Sequence, residues 1–287
     1  MNNYLSLIKF SHTIFALPFA LLGFFLATNL PSIDFSWVNF VLVLFCMVFA
    51  RSAAMAFNRY LDREIDSKNP RTATREIPAG IISPKSALTF VIINCIAFIV
   101  TTWFLNPLCF YLSPLALLVV LGYSYTKRFT WLCHFVLGLG LSLAPIGAYL
   151  AAGGGFDPIP ILLSLVVLFW VGGFDVIYAL QDEQFDQSNA LYSVPSIFGK
   201  KTGLRISEIS HIFSAGFLIW SVFLMAETYP GLSWLYIAAV VVFLGLLIYQ
   251  HLIVKPDDLS KVNLAFFTTN GIASVIFASL VILDFYF

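Results

Sequence analysis

The chain is poor in charge. Of 287 residues only 10% are Asp, Glu, Lys or Arg, and 15 basic residues balance 15 acidic ones. No run of lysine and arginine occurs, so the electrostatic footprint of a nucleic-acid binder is absent. Cysteine is scarce as well. Cys46, Cys95, Cys109 and Cys133 lie apart in or near apolar segments without a CxxC pair, which suggests neither a disulfide frame nor a zinc site and fits buried small hydrophobes. His12, His134, His211 and His251 are dispersed, never at i, i+4 with another ligand, and none is assigned a role. What fills the chain instead is hydrophobic side chain, 60% of the total. That proportion marks a membrane protein rather than a soluble one with a large core. The first apolar run, after Lys9, is longer than a signal-peptide h-region, has no convincing cleavage site, and precedes many further spans.

Apolar runs of spanning length fall at about 10–29, 36–60, 86–105, 107–126, 131–152, 159–181, 207–226, 231–253 and 263–286. The expected fold is therefore all-α: nine transmembrane helices around a central cavity, one transmembrane domain over 1–287, with the N-terminus cytoplasmic. Asn106-Pro107 leaves almost no loop between the third and fourth spans, and Pro145 is placed to kink the fifth. Orientation follows from the positive charges. Loops 61–85, 127–130, 182–206 and 254–262 hold twelve of the lysines and arginines, while the alternate loops hold none. Lys9 joins the basic side, and Arg51 and Arg59 lie toward that end of the second span. Loops 61–85 and 182–206 are expected to be long and polar. Gly138, Gly140 and Gly147 are expected at close helix contacts.

Two acidic motifs lie at that basic surface. Asn58, Asp62 and Asp66 are four residues apart, which on a helix sets an amide and two carboxylates on one face over ~12 Å. Arg71 and Arg75 follow. At the end of the sixth span, Asp175, Tyr178, Asp182 and Asp186 also share a face. Each motif passes into a segment with a Pro and a Gly, Pro78 and Gly80 in one, Pro195 and Gly199 in the other. That reads as a degenerate internal repeat with motif helices near 36–66 and 159–186. A mid-membrane aspartate costs ~2.5–3.5 kcal/mol on insertion scales, and clustered carboxylates repel, so the ladders need a reason. Oxygen ligands suit Mg²⁺, which takes one or two protein carboxylates and completes its shell with phosphate oxygens. Two facing ladders with trailing arginines therefore fit a Mg²⁺–diphosphate. An allylic diphosphate leaves behind a delocalised cation that needs shelter from water, and aromatic faces stabilise cations. The chain has 30 Phe and 12 Tyr; Tyr123 and Tyr178 are singled out.

These residues carry a resemblance to the UbiA superfamily of intramembrane prenyltransferases. Asn58, Asp62 and Asp66 match its NxxxDxxxD motif, Asp182 and Asp186 its DxxxD motif, and Tyr178 the YxxxD element before it. Arg71 and Arg75 match its loop arginines, and Tyr123 with Lys127 its YxxxK element. The resemblance implies Asn58, Asp62, Asp66, Asp182 and Asp186 as catalytic residues, with the four aspartates holding Mg²⁺ through the diphosphate. Arg51, Arg71, Arg75, Tyr123, Lys127, Asp175 and Tyr178 are then substrate-binding. IKFSHTIFALPFA and GYSYTKRFT most resemble the 4-hydroxybenzoate polyprenyltransferase branch, in which Arg51 faces the aromatic acid; a buried arginine there suits a carboxylate. After Asp186 the segment QSNALYSVPSIFG departs from the basic-Gly-…-Ser-Thr pattern of many members. The implied function is prenyl transfer from a polyprenyl diphosphate to an aromatic acid in quinone biosynthesis, at the cytoplasmic face of a bacterial inner membrane. A naphthoate acceptor in menaquinone synthesis is the alternative within this chemistry, and a membrane transporter the alternative outside it.

Overall fold

A computed structural model describes residues 2–8 and 10–287; Lys9 and the side chain of His12 lie outside the described residues. A short helix α1 (Asn2–Leu7) and a 3₁₀ segment (Phe10–Phe15) precede α2 (Leu17–Thr28). Then come α3 (Trp37–Leu61), α4 (Arg63–Lys68), α5 (Pro84–Leu105), α6 (Pro107–Thr126), α7 (Cys133–Ala152) and α8 (Pro158–Ala179). The chain continues through α9 (Glu183–Ser188), α10 (Val194–Thr228), α11 (Trp234–Ile253), a π-helical stretch (Leu264–Thr269) and α12 (Asn270–Asp284). No β-strand occurs among the described residues.

Eight helices are long and apolar enough to cross a membrane, and a shorter apolar helix, Thr13–Thr28, stands where the first span was expected. The chain is a multi-pass membrane protein. Large apolar side chains such as Trp37, Ile93, Phe104, Leu118 and Trp234 lie exposed on its outside; in a bilayer they face lipid. Helix starts are written locally. Ser36, Ser83, Asn106 and Ser193 each accept a hydrogen bond from the backbone three residues on, satisfying an orphan N–H. Asn106 caps α6 directly after α5, so the two spans meet without a loop. α7 continues through Pro145 without interruption.

One expectation fails. Residues 182–206 are not a long loop: α9 occupies 183–188, and α10 begins at Val194 rather than near 207. Ser193 and Ser196 form a reciprocal capping box with Pro195 in the first turn, which starts the helix among polar residues. Gly199 breaks it at φ +75°, ψ 164°, a conformation open to glycine and costly for other residues. Polarity in this stretch belongs largely to helical segments, not to irregular chain.

Helix α8 is the hub, packed chiefly on α7 and α10. Its Trp170 is fully buried among Phe19, Phe243 and Phe174, and its indole donates to Asn270 Oδ1 at 2.8 Å. Gly138 lets α7 approach α8 closely, since a Cβ there would sit 2.3 Å from the Leu168 carbonyl oxygen. A Cβ at Gly140 would meet Val120 at ordinary distance, and one at Gly147 nothing within 4 Å. Gly147 therefore marks no close contact: its side of α7 borders the cavity.

Candidate active site

Both acidic motifs sit where a transmembrane helix gives out. α3 ends at Leu61; Asp62 turns the chain and α4 carries Asp66. The i→i+4 backbone bonds Asp62 N–Asn58 O, 2.9 Å, and Asp66 N–Asp62 O, 2.7 Å, survive the turn, so the three side chains keep their common side. α8 ends at Ala179, tightens into a 3₁₀ turn at Leu180–Asp182, and resumes as α9 with Asp186. The two ends face each other across a cavity of about 1140 Å³. All twelve residues singled out in the sequence line it: Arg51, Asn58, Asp62, Asp66, Arg71, Arg75, Tyr123, Lys127, Asp175, Tyr178, Asp182 and Asp186.

Each carboxylate is held. Asp62, 1% exposed, pairs with Lys127 Nζ and with Arg128 Nη2 at 2.9 Å, and receives the Asn58 amide at 3.3 Å. Asp66 takes Arg75 Nη1 at 2.7 Å. Asp182 is gripped from the other motif's loop: Arg71 donates from Nε at 3.0 Å and Nη2 at 2.5 Å, and Asn69 from Nδ2 at 3.2 Å. Arg71 also donates to Tyr178 Oη at 2.8 Å and lies over its ring. Burial disfavours the Arg71 charge, but the hydrogen bond and charge of Asp182 outweigh it and raise its pKa above the ordinary arginine value. Asp186 accepts from Ser193 Oγ at 2.8 Å.

Asp175 lies seven residues before Asp182, ~10 Å deeper along the helix. Its partner is His134, whose Nδ1 sits 2.7 Å from Asp175 Oδ2. Nε2 of the same ring accepts the Val194 backbone N–H at 3.1 Å. A nitrogen that accepts carries no proton, so the ring is neutral and Nδ1–H donates to the carboxylate. Asn69, Arg128, His134 and Ser193 were not assigned roles from sequence. Arg128 was visible beside Lys127, whereas no spacing connects His134 to Asp175. His211 and His251 pair with each other, Nδ1–Nε2 2.7 Å.

Below the charged rim the wall turns apolar: Val43, Met47, Leu112, Val119, Leu137 and Leu141 among others. The π-helical stretch presents Phe266, whose ring lies 4.2 Å from that of Tyr178. The lining follows α7 from Cys133 to Ala151, ~27 Å of helix rise. The donor set suits a hard cation, because every anionic group at the rim is a carboxylate. Among the described residues no three of His, Cys, Asp and Glu converge as a ready metal site. A Mg²⁺ ion fits on condition that it takes part of its shell from phosphate oxygens, as this ion ordinarily does.

Comparison with known proteins agrees with this architecture. The family model described as the UbiA prenyltransferase family matches residues 16–272. A 4-hydroxybenzoate octaprenyltransferase of Nitrosomonas europaea is 34% identical over 253 residues, 84% of this chain and 82% of that protein. One of Aliivibrio fischeri is 29% identical over 261 residues, 90% of this chain and 87% of that protein. The apo structure of a UbiA homologue from Aeropyrum pernix superposes with a TM-score of 0.83 at 30% identity, covering 95% of this chain and 98% of its own. A UbiA homologue from Archaeoglobus fulgidus, bound to GPP and Mg²⁺, shares the fold with a TM-score of 0.72 at 21% identity, covering 99% and 100%. The chain belongs to the UbiA prenyltransferase family, and is an enzyme of that class.

Proposed function

We propose that the protein transfers a polyprenyl group from its diphosphate to an aromatic acid, 4-hydroxybenzoate being the favoured acceptor. The observation that carries this is the joining of two acidic helix ends and a basic rim over one long apolar cavity. The rim offers a place for a diphosphate and the depth a place for its tail. The relatives' names favour this acceptor, and the positive-inside bias supports a rim at the cytoplasmic face of a bacterial inner membrane.

In this reading Asp62, Asp66, Asp182 and Asp186 hold Mg²⁺ by way of the diphosphate, and the ion when bound neutralises charge on the departing group. Arg71, Arg75 and Lys127 turn to phosphate oxygens once the carboxylates are occupied. Asn58 fixes Asp62. The C1–O bond of the donor breaks and its electron pair leaves with the diphosphate. Tyr123, Tyr178 and the Phe174 and Phe266 faces border the allylic cation and exclude water. Arg51, two turns deeper than Arg59, receives the acceptor's carboxylate. A ring carbon then attacks C1 of the cation, the ring proton passes to the released diphosphate or to water, and aromaticity returns.

The test is direct. Purified protein is incubated with a polyprenyl diphosphate, Mg²⁺, and separately 4-hydroxybenzoate, naphthoic acids or no acceptor, and products are read by mass spectrometry. Prenylated 4-hydroxybenzoate is expected. A naphthoate product alone replaces the acceptor, and no product with any acceptor removes the function.

A further inference from the structure

One arginine at the rim is uncommitted. Arg59 is 4% exposed and lines the cavity, and its Nη1 is buried without a hydrogen-bond partner. No hydrogen bond or ion pair reaches its guanidinium from any described residue. Asp66, Glu76, Arg75 and Tyr123 lie within electrostatic range, yet none bonds to its guanidinium. Its basic neighbours are all engaged: Lys127 and Arg128 on Asp62, Arg75 on Asp66, Arg71 on Asp182.

A guanidinium does not shed its proton, so Arg59 stays charged, balanced by Asp66 and Glu76 only at a distance and with its buried Nη1 unbonded, which is costly. An anion that enters during function supplies what the resting protein withholds. Arg59 adjoins Asn58 and stands three residues before Asp62, at the level of the acidic rim. It is eight residues, ~12 Å of helix rise, nearer the rim than Arg51. A diphosphate at the rim meets Arg59 first, whereas a carboxylate bound in the depth does not.

We propose that Arg59 is a preorganised receptor for the donor's diphosphate, engaging it before and without a divalent cation. The other rim cations must give up a carboxylate to gain a phosphate oxygen; Arg59 gains one and gives up nothing. The inference rests on the reading of this cavity as a diphosphate site. It implies an order: the diphosphate docks on Arg59 before the aspartates release their lysine and arginine partners.

The experiment uses the full chain in detergent, with inorganic diphosphate as the probe, titrated calorimetrically in EDTA and in Mg²⁺. The parent protein binds in EDTA. Arg59→Gln weakens that binding about tenfold or more, and Arg59→Lys restores part of it. The ligand-free Arg59→Gln protein melts at or above the parent temperature, since a buried charge without a partner has been removed. Unaltered binding by Arg59→Gln in EDTA, or a ligand-free melting temperature well below the parent's, overturns the proposal. Parent binding seen only with Mg²⁺ overturns it and leaves the functional reading standing. No binding in either condition removes both.

Discussion

Arg71 and Asp182 belong to different acidic motifs, yet their side chains meet in a two-pronged ion pair, Nε–Oδ1 3.0 Å and Nη2–Oδ2 2.5 Å. The pair ties the loop after α4 to the end of α8 across the mouth of the cavity. With about a third of the Arg71 side chain exposed, such a pair contributes only ~0–1 kcal/mol to stability. In the proposed function its value lies in placing a guanidinium where a phosphate would arrive. Arg71→Gln is therefore expected to shift the melting temperature little, while raising the KM for the prenyl diphosphate about tenfold in Mg²⁺. Steady-state kinetics with both substrates varied, beside a thermal melt, checks it. A large melting shift with an unchanged KM assigns the pair to structure instead.

Asp62 is the most enclosed of the four rim aspartates, caught between Lys127, Arg128 and Asn58. Asp62→Asn leaves two cations facing an amide and removes a carboxylate from the diphosphate site. Turnover is expected to fall about 10²–10³-fold, with a smaller loss of stability, because both cations are partly solvated and can turn to water. Diphosphate release and a thermal melt measure the two effects. Full turnover in this variant takes Asp62 out of the chemistry.

Arg51 tests the acceptor side. If it holds the acid, Arg51→Gln raises the acceptor KM on the order of 30-fold, the effect of truncating one partner of an enclosed charge pair. The donor KM stays within about twofold, since the proposed diphosphate site lies two turns nearer the rim. Equal losses for both substrates place Arg51 elsewhere.

The sequence was most legible where function repeats a chemical group at helical spacing. Asn58, Asp62, Asp66, Asp182 and Asp186 stood out because carboxylates are rare in this chain and periodicity set them on one side. Spans were readable from apolar length, since lipid demands a continuous stretch of it. Residues 182–206 were misread because polarity alone separates loop from span. It does not separate a loop from a surface helix started by Ser193 and broken at Gly199. Partners such as Arg71 on Asp182, or His134 on Asp175, join residues 111 and 41 positions apart. No local period encodes such contacts; packing of α7 on α8 creates the second, and the loop after α4 reaching the end of α8 creates the first. Arg59 was visible as a charge in a span, but that it lacks a partner is a property of the folded surroundings.

Packing of α7 on α8 makes its own prediction. A Cβ at Gly138 meets the backbone oxygen of Leu168 at 2.3 Å, and a backbone atom cannot swing aside like the end of a side chain. Gly138→Ala must push the helices apart, at about 1–3 kcal/mol. Gly147→Ala, with nothing within 4 Å, is expected to be close to neutral for stability. Melting temperatures of the two variants decide it, and equal losses refute the close approach.

His134 carries the last. Its Nδ1–H steadies Asp175 within the membrane-spanning part of α8, and its Nε2 takes the Val194 N–H at the start of α10. Val194 follows Ser193, which donates to Asp186, so one ring links the deep carboxylate to the rim. His134→Phe leaves the half-buried Asp175 without its donor and the buried Val194 N–H without an acceptor, the latter at about 1–3 kcal/mol and the former at less. Glutamine carries an amide N–H for the carboxylate and a carbonyl for the backbone, so His134→Gln is expected to recover most of that loss. Recovery by glutamine distinguishes a neutral two-sided hydrogen bond from an imidazolium ion pair, which no amide reproduces. If His134→Gln is as unstable as His134→Phe, the ring is charged and the neutral tautomer assigned here is wrong.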